Sequence, residues 1–384
     1  MRICFVLTTP FALNAFVKPV ILELAAQKWD VTVLVNTQAG VVDPDISRNA
    51  RVVDLPIARN IAPFGDLATL WILARLFRTQ RFDVVHSITP KAGLLAMLAA
   101  RLAGIGVRIH TFTGQVWATR TGPMRFLLRT MDKLLSASAS ALLTDNHLQK
   151  QFLVDEGIVK PDRLHVLLHG SIVGVDANRF ARRNDVRLRV RTQFGLPADA
   201  VLLLYLGRVH PDKGIRELTQ SFLDLAARFP QLHLALVGPD EGALPAALAS
   251  LQALMPRVHV VPLTTEPEAY LCAADIFCLP SYREGFPTSL LEAAAAELPI
   301  VATSIYGIRD AVLDGVTGLL VPPRDAAALT NALAALIPDA GQRATLAEAG
   351  RARVLAQFSQ QVLVAEWLRF YGRQLGMSGA QPGG

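Results

Sequence analysis

Val201-Leu202-Leu203-Leu204-Tyr205-Leu206-Gly207-Arg208-Val209-His210-Pro211-Asp212-Lys213-Gly214 sets six apolar residues directly before a loop that carries two cations and begins and ends on glycine. An apolar run without alternation predicts a strand buried on both faces, as in a parallel sheet covered by helices. Downstream, Leu232–Val237, Val258–Pro262, Ile276–Leu279, Ile300–Thr303 and Leu319–Val321 repeat the pattern. Upstream, so do Ile3–Thr8, Val31–Val35, Val84–Ile88, Arg108–Phe112, Ala141–Thr144 and His165–Leu168, with helical patterns at Lys18–Gln27, Leu67–Gln80 and Lys91–Leu102. Strand-helix alternation of this kind predicts an α/β protein of two Rossmann-like, doubly wound parallel-sheet domains. The charged stretch Arg179–Arg191 reads as the connector, so the domains are expected at 1–183 and 184–358. A last helix over 359–375 is expected to pack back toward the first domain, and a tail over 376–384 to be disordered. Ligands of such sheets sit at the carboxyl ends of strands, so paired halves predict a central cleft.

The 384 residues are 52% hydrophobic and 18% charged, which excludes disorder for most of the chain. Three cysteines, none in a C-x-x-C pair, build no disulfide framework and suit a reducing compartment. No apolar run reaches the roughly 18–20 residues of a membrane span, and Met1–Leu7 reads as a strand rather than a signal peptide. Secreted, fibrous and integral-membrane classes are therefore not expected. Charge is uneven: residues 1–183 hold 22 Lys/Arg against 13 Asp/Glu, and the rest 16 against 19. An anionic partner is expected for the first half alone. No helix-turn-helix or RNP-type motif points to nucleic acid. Around 124–135, Met124-Arg125-Phe126-Leu127-Leu128-Arg129 and Lys133-Leu134-Leu135 mix basic and apolar residues at helical spacing. That pattern fits an anionic membrane surface, and equally a core helix with solvated cations.

Dinucleotide binding is not expected, because the first strand-helix turn, Thr8-Thr9-Pro10-Phe11-Ala12, has no glycine. Gly104-Ile105-Gly106 precedes a strand instead of following one, and no Walker motif is present. Arg208 and Lys213 on one strand-helix loop suit a diphosphate, the guanidinium as a fork and the ammonium as a mobile charge. A second element, Glu284-Gly285-Phe286-Pro287-Thr288-Ser289-Leu290-Leu291-Glu292, leads from the strand Ile276–Leu279 into a helix. Pro287 marks a helix start whose free amides receive an anion. Glu284 and Glu292 are acceptors for sugar hydroxyls, one for ribose and the other for a hexose. Asp43-Pro44-Asp45 matches a metal-binding D-x-D pattern but lies far along the chain from the diphosphate motif, so no metal role is expected.

Gly207-Arg208-x4-Lys213-Gly214, Val237-Gly238, and Glu284-Gly285-Phe286-Pro287 with Glu292 resemble the donor half of retaining glycosyltransferase family 4. Pro299–Thr303, Gly315–Val321 and Gly174-Val175-Asp176-x-x-Arg179-Phe180 extend the resemblance to nearly the whole chain. His110-Thr111-Phe112-Thr113-Gly114-Gln115-Val116-Trp117 is similar to bacterial capsule and O-antigen (lipopolysaccharide) enzymes. The resemblance implies a GT-B fold, a nucleotide diphosphate sugar donor, with UDP as the expected nucleotide, and neither a resident cofactor nor a metal. Arg208 and Lys213 would neutralise the diphosphate, Glu292 hold the ribose and Glu284 the donor hexose. The amides after Gly285, with Thr288 and Ser289, would contact sugar and phosphate; Gly207 and Gly238 belong to the same pattern, and Leu263 would shelve the base. The implied mechanism is front-face attack, the donor phosphate accepting the acceptor's proton, with each charge-stabilising contact contributing about 3–4 kcal/mol.

One departure stands out. Where many members of that family carry histidine, this chain has Thr113, which is left to supply a hydroxyl. His110 points to the opposite face of its strand from Thr111 and Thr113 and reads as a core or supporting histidine. The expectation is a hexosyl- or N-acetylhexosaminyl-transferase acting on a polyprenyl-diphosphate-linked glycan, peripheral on the cytoplasmic face of the bacterial inner membrane. A nucleotide-sugar epimerase of the same fold and a non-catalytic sugar-nucleotide scaffold are the alternatives.

Overall fold

The computed structural model describes residues 1–57 and 62–377. These divide into two compact units, Met1–Val173 with the carboxy-terminal segment from Gln360, and Gly174–Ser359. In the first unit, strands β1 (Arg2–Val6), β2 (Asp30–Val35), β3 (Arg51–Asp54), β4 (Val84–Ser87), β5 (Val107–Phe112), β6 (Ala141–Thr144) and β7 (Leu164–Val166) form a sheet of order β3-β2-β1-β4-β5-β6-β7. In the second, β8 (Val201–Leu206), β9 (Leu232–Val237), β10 (Val258–Val261), β11 (Ile276–Leu279), β12 (Ile300–Thr303) and β13 (Leu319–Val321) run β10-β9-β8-β11-β12-β13. Every pairing is parallel. Each order reverses once, at β1/β4 and at β8/β11, which makes both units Rossmann-like and doubly wound.

Alternation explains why the strands read as unbroken apolar runs. Ile3 and Phe5 of β1 enter one buried cluster and Cys4 and Val6 the other, so both faces are covered. β3 was not expected. It is a four-residue edge strand flanked by Arg51 and Asp54 and only half-buried at Val52 and Val53, so it lacks the apolar run that marks the others.

The division falls at Gly174, ten residues before the expected boundary at 184. Val175 and Phe180 are buried in the second unit's core, and Val175 N donates to Phe358 O at 2.9 Å. The expected connector Arg179–Arg191 runs largely into a helix, Asn184–Gln193, that buries Val186 and Val190 one turn apart. Its charges act as ties: Arg187 and Arg191 both reach Asp275, at 2.6 and 3.0 Å.

The helix Gln360–Gln374 belongs to the first unit. Leu363, Trp367, Phe370 and Tyr371 are buried there, Trp367 Nε1 donates to Ile172 O at 2.5 Å, and the Tyr371 hydroxyl meets His86 Nδ1 at 2.8 Å. From residue 378 onward the expected disordered tail lies outside the described residues.

Candidate functional site

The strand order reverses between β8 and β11. The chain leaves these neighbours toward opposite sides of the sheet, so the loops at their carboxyl ends, 207–214 and 280–287, open the crevice where such sheets bind ligands. The two loops are locked together. Tyr282 N donates to Asp212 O at 2.8 Å, and Gly214, at φ +68°, leaves its missing Cβ only 2.0 Å from Pro280 O. Gly207 follows β8, and Gly238, at φ +139°, lies so close that a Cβ would fall 2.0 Å from Gly207 O. Any side chain at 214 or 238 would push the loops apart.

Within this frame Lys213 Nζ meets Glu284 Oε1 at 2.6 Å, with the two side chains only 13% and 12% exposed. Arg208 pairs with Glu241, and its carbonyl accepts a 2.6 Å bond from the Tyr205 hydroxyl. Burial first, and then the Glu284 carboxylate, hold the Tyr205 phenol well above its ordinary pKa, while Arg208 opposes them. Arg208, Glu241 and Glu284 are thus grouped about one buried hydroxyl.

Glu292 stands in a second cluster. It is half-buried in the helix Thr288–Ala295, whose first turn follows Pro287 in the N-cap position and presents free amides beside half-buried Thr288 and Ser289. Burial raises its carboxyl to about 7; Arg179 and a bond from Thr288 oppose that shift and Glu268 adds to it. Arg179 is itself tied to Glu268 at 2.9 Å. Gly285 is half-buried in the loop, and Leu263 is exposed just beyond β10. Phe286, in the motif whose resemblance implies donor binding, does not expose its side chain to a ligand. It is buried in the core with its ring 5.5 Å from that of Phe358, so it anchors the loop from beneath.

Thr113 lies in the other unit, half-buried just past β5. His110 is buried, bonded through Nδ1 to Ser87 Oγ at 2.9 Å, and burial drives its pKa to about 3. Thr111, on the opposite face, meets His86 Nε2 at 2.8 Å. Asp43 and Asp45 are both held by Lys18 Nζ, at 2.6 and 2.8 Å, so a cation already occupies the D-x-D pair. Among the described residues no group of three or more His, Cys, Asp or Glu is placed to hold a metal ion.

The segment expected to carry cations outward does something else. In the helix Gly122–Ser138, Arg125 and Arg129 turn inward to Glu156, at 2.6 and 2.9 Å, and lie over the Trp117 ring. Phe126, 75% exposed, faces outward with Met124, Leu127, Leu134 and Lys133. The helix Pro63–Gln80 also exposes apolar side chains, Phe64, Leu67 and Trp71, but its Arg75 and Arg78 are exposed as well. Both helices pack against the helix Pro90–Leu102 on the same side of the sheet. Among the described residues no helix is long and apolar enough to cross a membrane.

Glu241 and Tyr205 were not anticipated as site residues. Tyr205 is hidden inside an apolar run, and Glu241 sits in Gly238-Pro239-Asp240-Glu241-Gly242, the loop at the carboxyl end of β9. That position next to the switch point was the available signal.

Comparison with known proteins bears on this geometry. Residues 200–339 match the family described as "Glycosyl transferases group 1", and residues 13–170 match "Glycosyl transferase 4-like domain". The chain is 30% identical over 320 residues to the "Capsular polysaccharide biosynthesis glycosyltransferase CapM" of Staphylococcus aureus, covering 83% of each chain. It is 24% identical to the Escherichia coli "UDP-Gal:alpha-D-GlcNAc-diphosphoundecaprenol alpha-1,3-galactosyltransferase", over 82% of each. Among solved structures, Anabaena Alr3699/HepE in complex with UDP superposes with a TM-score of 0.79, at 17% identity, covering 97% of this chain and 100% of that one.

Proposed function

Because this chain belongs to the group 1 glycosyl transferases, with the GT-B pair of Rossmann-like domains, we propose that it moves a hexose or N-acetylhexosamine from a UDP-linked donor, with retention and without a metal or resident cofactor, to a lipid-linked glycan in bacterial surface polysaccharide synthesis. The observation that carries the reading is the mostly buried Lys213–Glu284 pair at the β8/β11 switch point. A cation and a hydroxyl acceptor in direct contact suit the two ends of a sugar diphosphate. Arg208 and Lys213 neutralise the diphosphate, Glu284 accepts from the transferred sugar, Glu292 accepts from the ribose, and the amides after Gly285, with Thr288 and Ser289, contact sugar and phosphate. The anomeric C–O bond breaks with its electron pair going to the phosphate oxygen, the acceptor oxygen bonds to the anomeric carbon from the same face, and the phosphate oxygen takes the acceptor hydroxyl's proton. The protein's part is to keep two cations where that charge develops.

The first unit is the acceptor half, with Thr113 as a hydroxyl donor toward it. Its excess of basic residues, and the outward apolar side chains of the helices Pro63–Gln80 and Gly122–Ser138, support peripheral binding at the cytoplasmic face of an anionic membrane.

The test is incubation of a UDP-sugar panel with undecaprenyl-diphosphate-linked glycans, reading the anomeric configuration of the product. Retention with EDTA present is expected; an inverted product or a strict manganese requirement overturns the mechanism. Donor isomerisation without acceptor would indicate the epimerase instead. Co-sedimentation with anionic vesicles, weakened by salt, tests the membrane reading.

A further inference from the structure

The roles just proposed leave out Glu241, although it is paired with the cation that would meet the diphosphate. The Arg208 and Glu241 side chains are 33% and 27% exposed, so a ligand reaches them. The Glu241 backbone is fixed. Its N donates to Val209 O at 2.9 Å, Val209 N donates to Pro239 O at 2.8 Å, and Asp240 Oδ1 accepts from the amides of Gly242, Ala243 and Leu244. With Lys213 held by Glu284, each donor-facing cation already carries a carboxylate, and the site is close to neutral before any ligand arrives.

A carboxylate held beside a phosphate site opposes anions, and the opposition grows with the ligand's charge. A sugar diphosphate has no terminal phosphate. The nucleoside diphosphate left after transfer has one, and its second ionisation near about 6 adds roughly one negative charge at neutral pH. During transfer the acceptor's proton rides on that phosphate oxygen, so the extra charge appears only when the proton escapes to water. We propose that Glu241 is a charge-selecting residue that disfavours the spent nucleoside diphosphate relative to the intact donor and so promotes its release. The proposal rests on the reading that Arg208 faces the diphosphate.

The experiment is calorimetric titration of UDP and UDP-glucose, and of GDP and GDP-mannose, into the full chain. Glu241→Gln is expected to tighten the nucleoside diphosphate about tenfold and its sugar conjugate only about threefold at about pH 8. The gap should narrow at about pH 5.5, where most of the free terminal phosphate is protonated. Glu241→Asp keeps the charge and should keep the unmodified ratio. Equal tightening, weakening of either ligand, or a gap that does not narrow at low pH overturns the proposal. Arg208→Ala separates the two levels: if it leaves binding unchanged, the reading of the site itself fails, and binding of neither pair by the unmodified protein removes both.

Discussion

Replacing Lys213 by methionine keeps the stem and removes the charge, leaving Glu284 alone in a loop where its side chain is 12% exposed. At the observed 2.6 Å the pair is close to optimal, and stripping one partner from a mostly buried ion pair costs about 3–5 kcal/mol, chiefly from the stranded charge. Partial access to water places the expected loss for Lys213→Met at the lower edge, about 3 kcal/mol. Glu284→Gln should cost less, because the ammonium keeps an amide oxygen to bond. In the double variant neither charge is stranded, so most of the loss returns and the coupling energy comes to about 2 kcal/mol. Urea unfolding of the four proteins measures this directly. Turnover supplies a second reading: Lys213→Met should lower kcat/KM at least about tenfold, and the stabilised double variant should not regain it. Independent, additive stability losses, or full activity in Lys213→Met, would refute the assignment of this pair.

Three further outcomes follow from single contacts. Glu292 holds its proton to about pH 7 in the folded chain against an ordinary value of 4.5, so stability falls as pH rises across that interval and the loss is complete above it. Glu292→Gln should therefore flatten the slope and raise stability at about pH 8 by about 3 kcal/mol in pH-dependent melts, while weakening donor binding. Trp367→Ala removes a buried ring and its bond to Ile172 O, and should cost about 3–5 kcal/mol by denaturant titration. Gly214→Ala places a Cβ 2.0 Å from Pro280 O, at φ +68°; loss of nucleotide-induced thermal shift with β8 and β11 intact is expected, and an unchanged shift would show that the loops tolerate separation.

The two sheets were readable because their strands, buried on both faces, are apolar at nearly every position, and so were the glycines that let the switch-point loops touch. β3 escaped because an edge strand half open to water needs no such run. The helix Asn184–Gln193 escaped because its arginines are spent on Asp275 and look, in sequence, like a solvated connector. Of the site, the residue types at 208, 213, 284 and 292 were readable, but their pairing was not. That Lys213 meets Glu284 while Arg208 meets Glu241 depends on which strand ends are neighbours, and no spacing along the chain encodes it. The direction in which Arg125 and Arg129 turn was hidden for the same reason, since Glu156 lies on another element.

The helix Gln360–Gln374 gives the chain a particular order of assembly. Residues 174–359 are continuous, so that unit has all its parts once they have left the ribosome. The unit synthesised first waits longest, because Trp367, Phe370 and Tyr371, which complete its interior, are translated after the second unit. A chain truncated after residue 359 keeps every residue of the second unit and leaves the first one open. A stop codon introduced at residue 360 would therefore damage the unit built around residues 1–173.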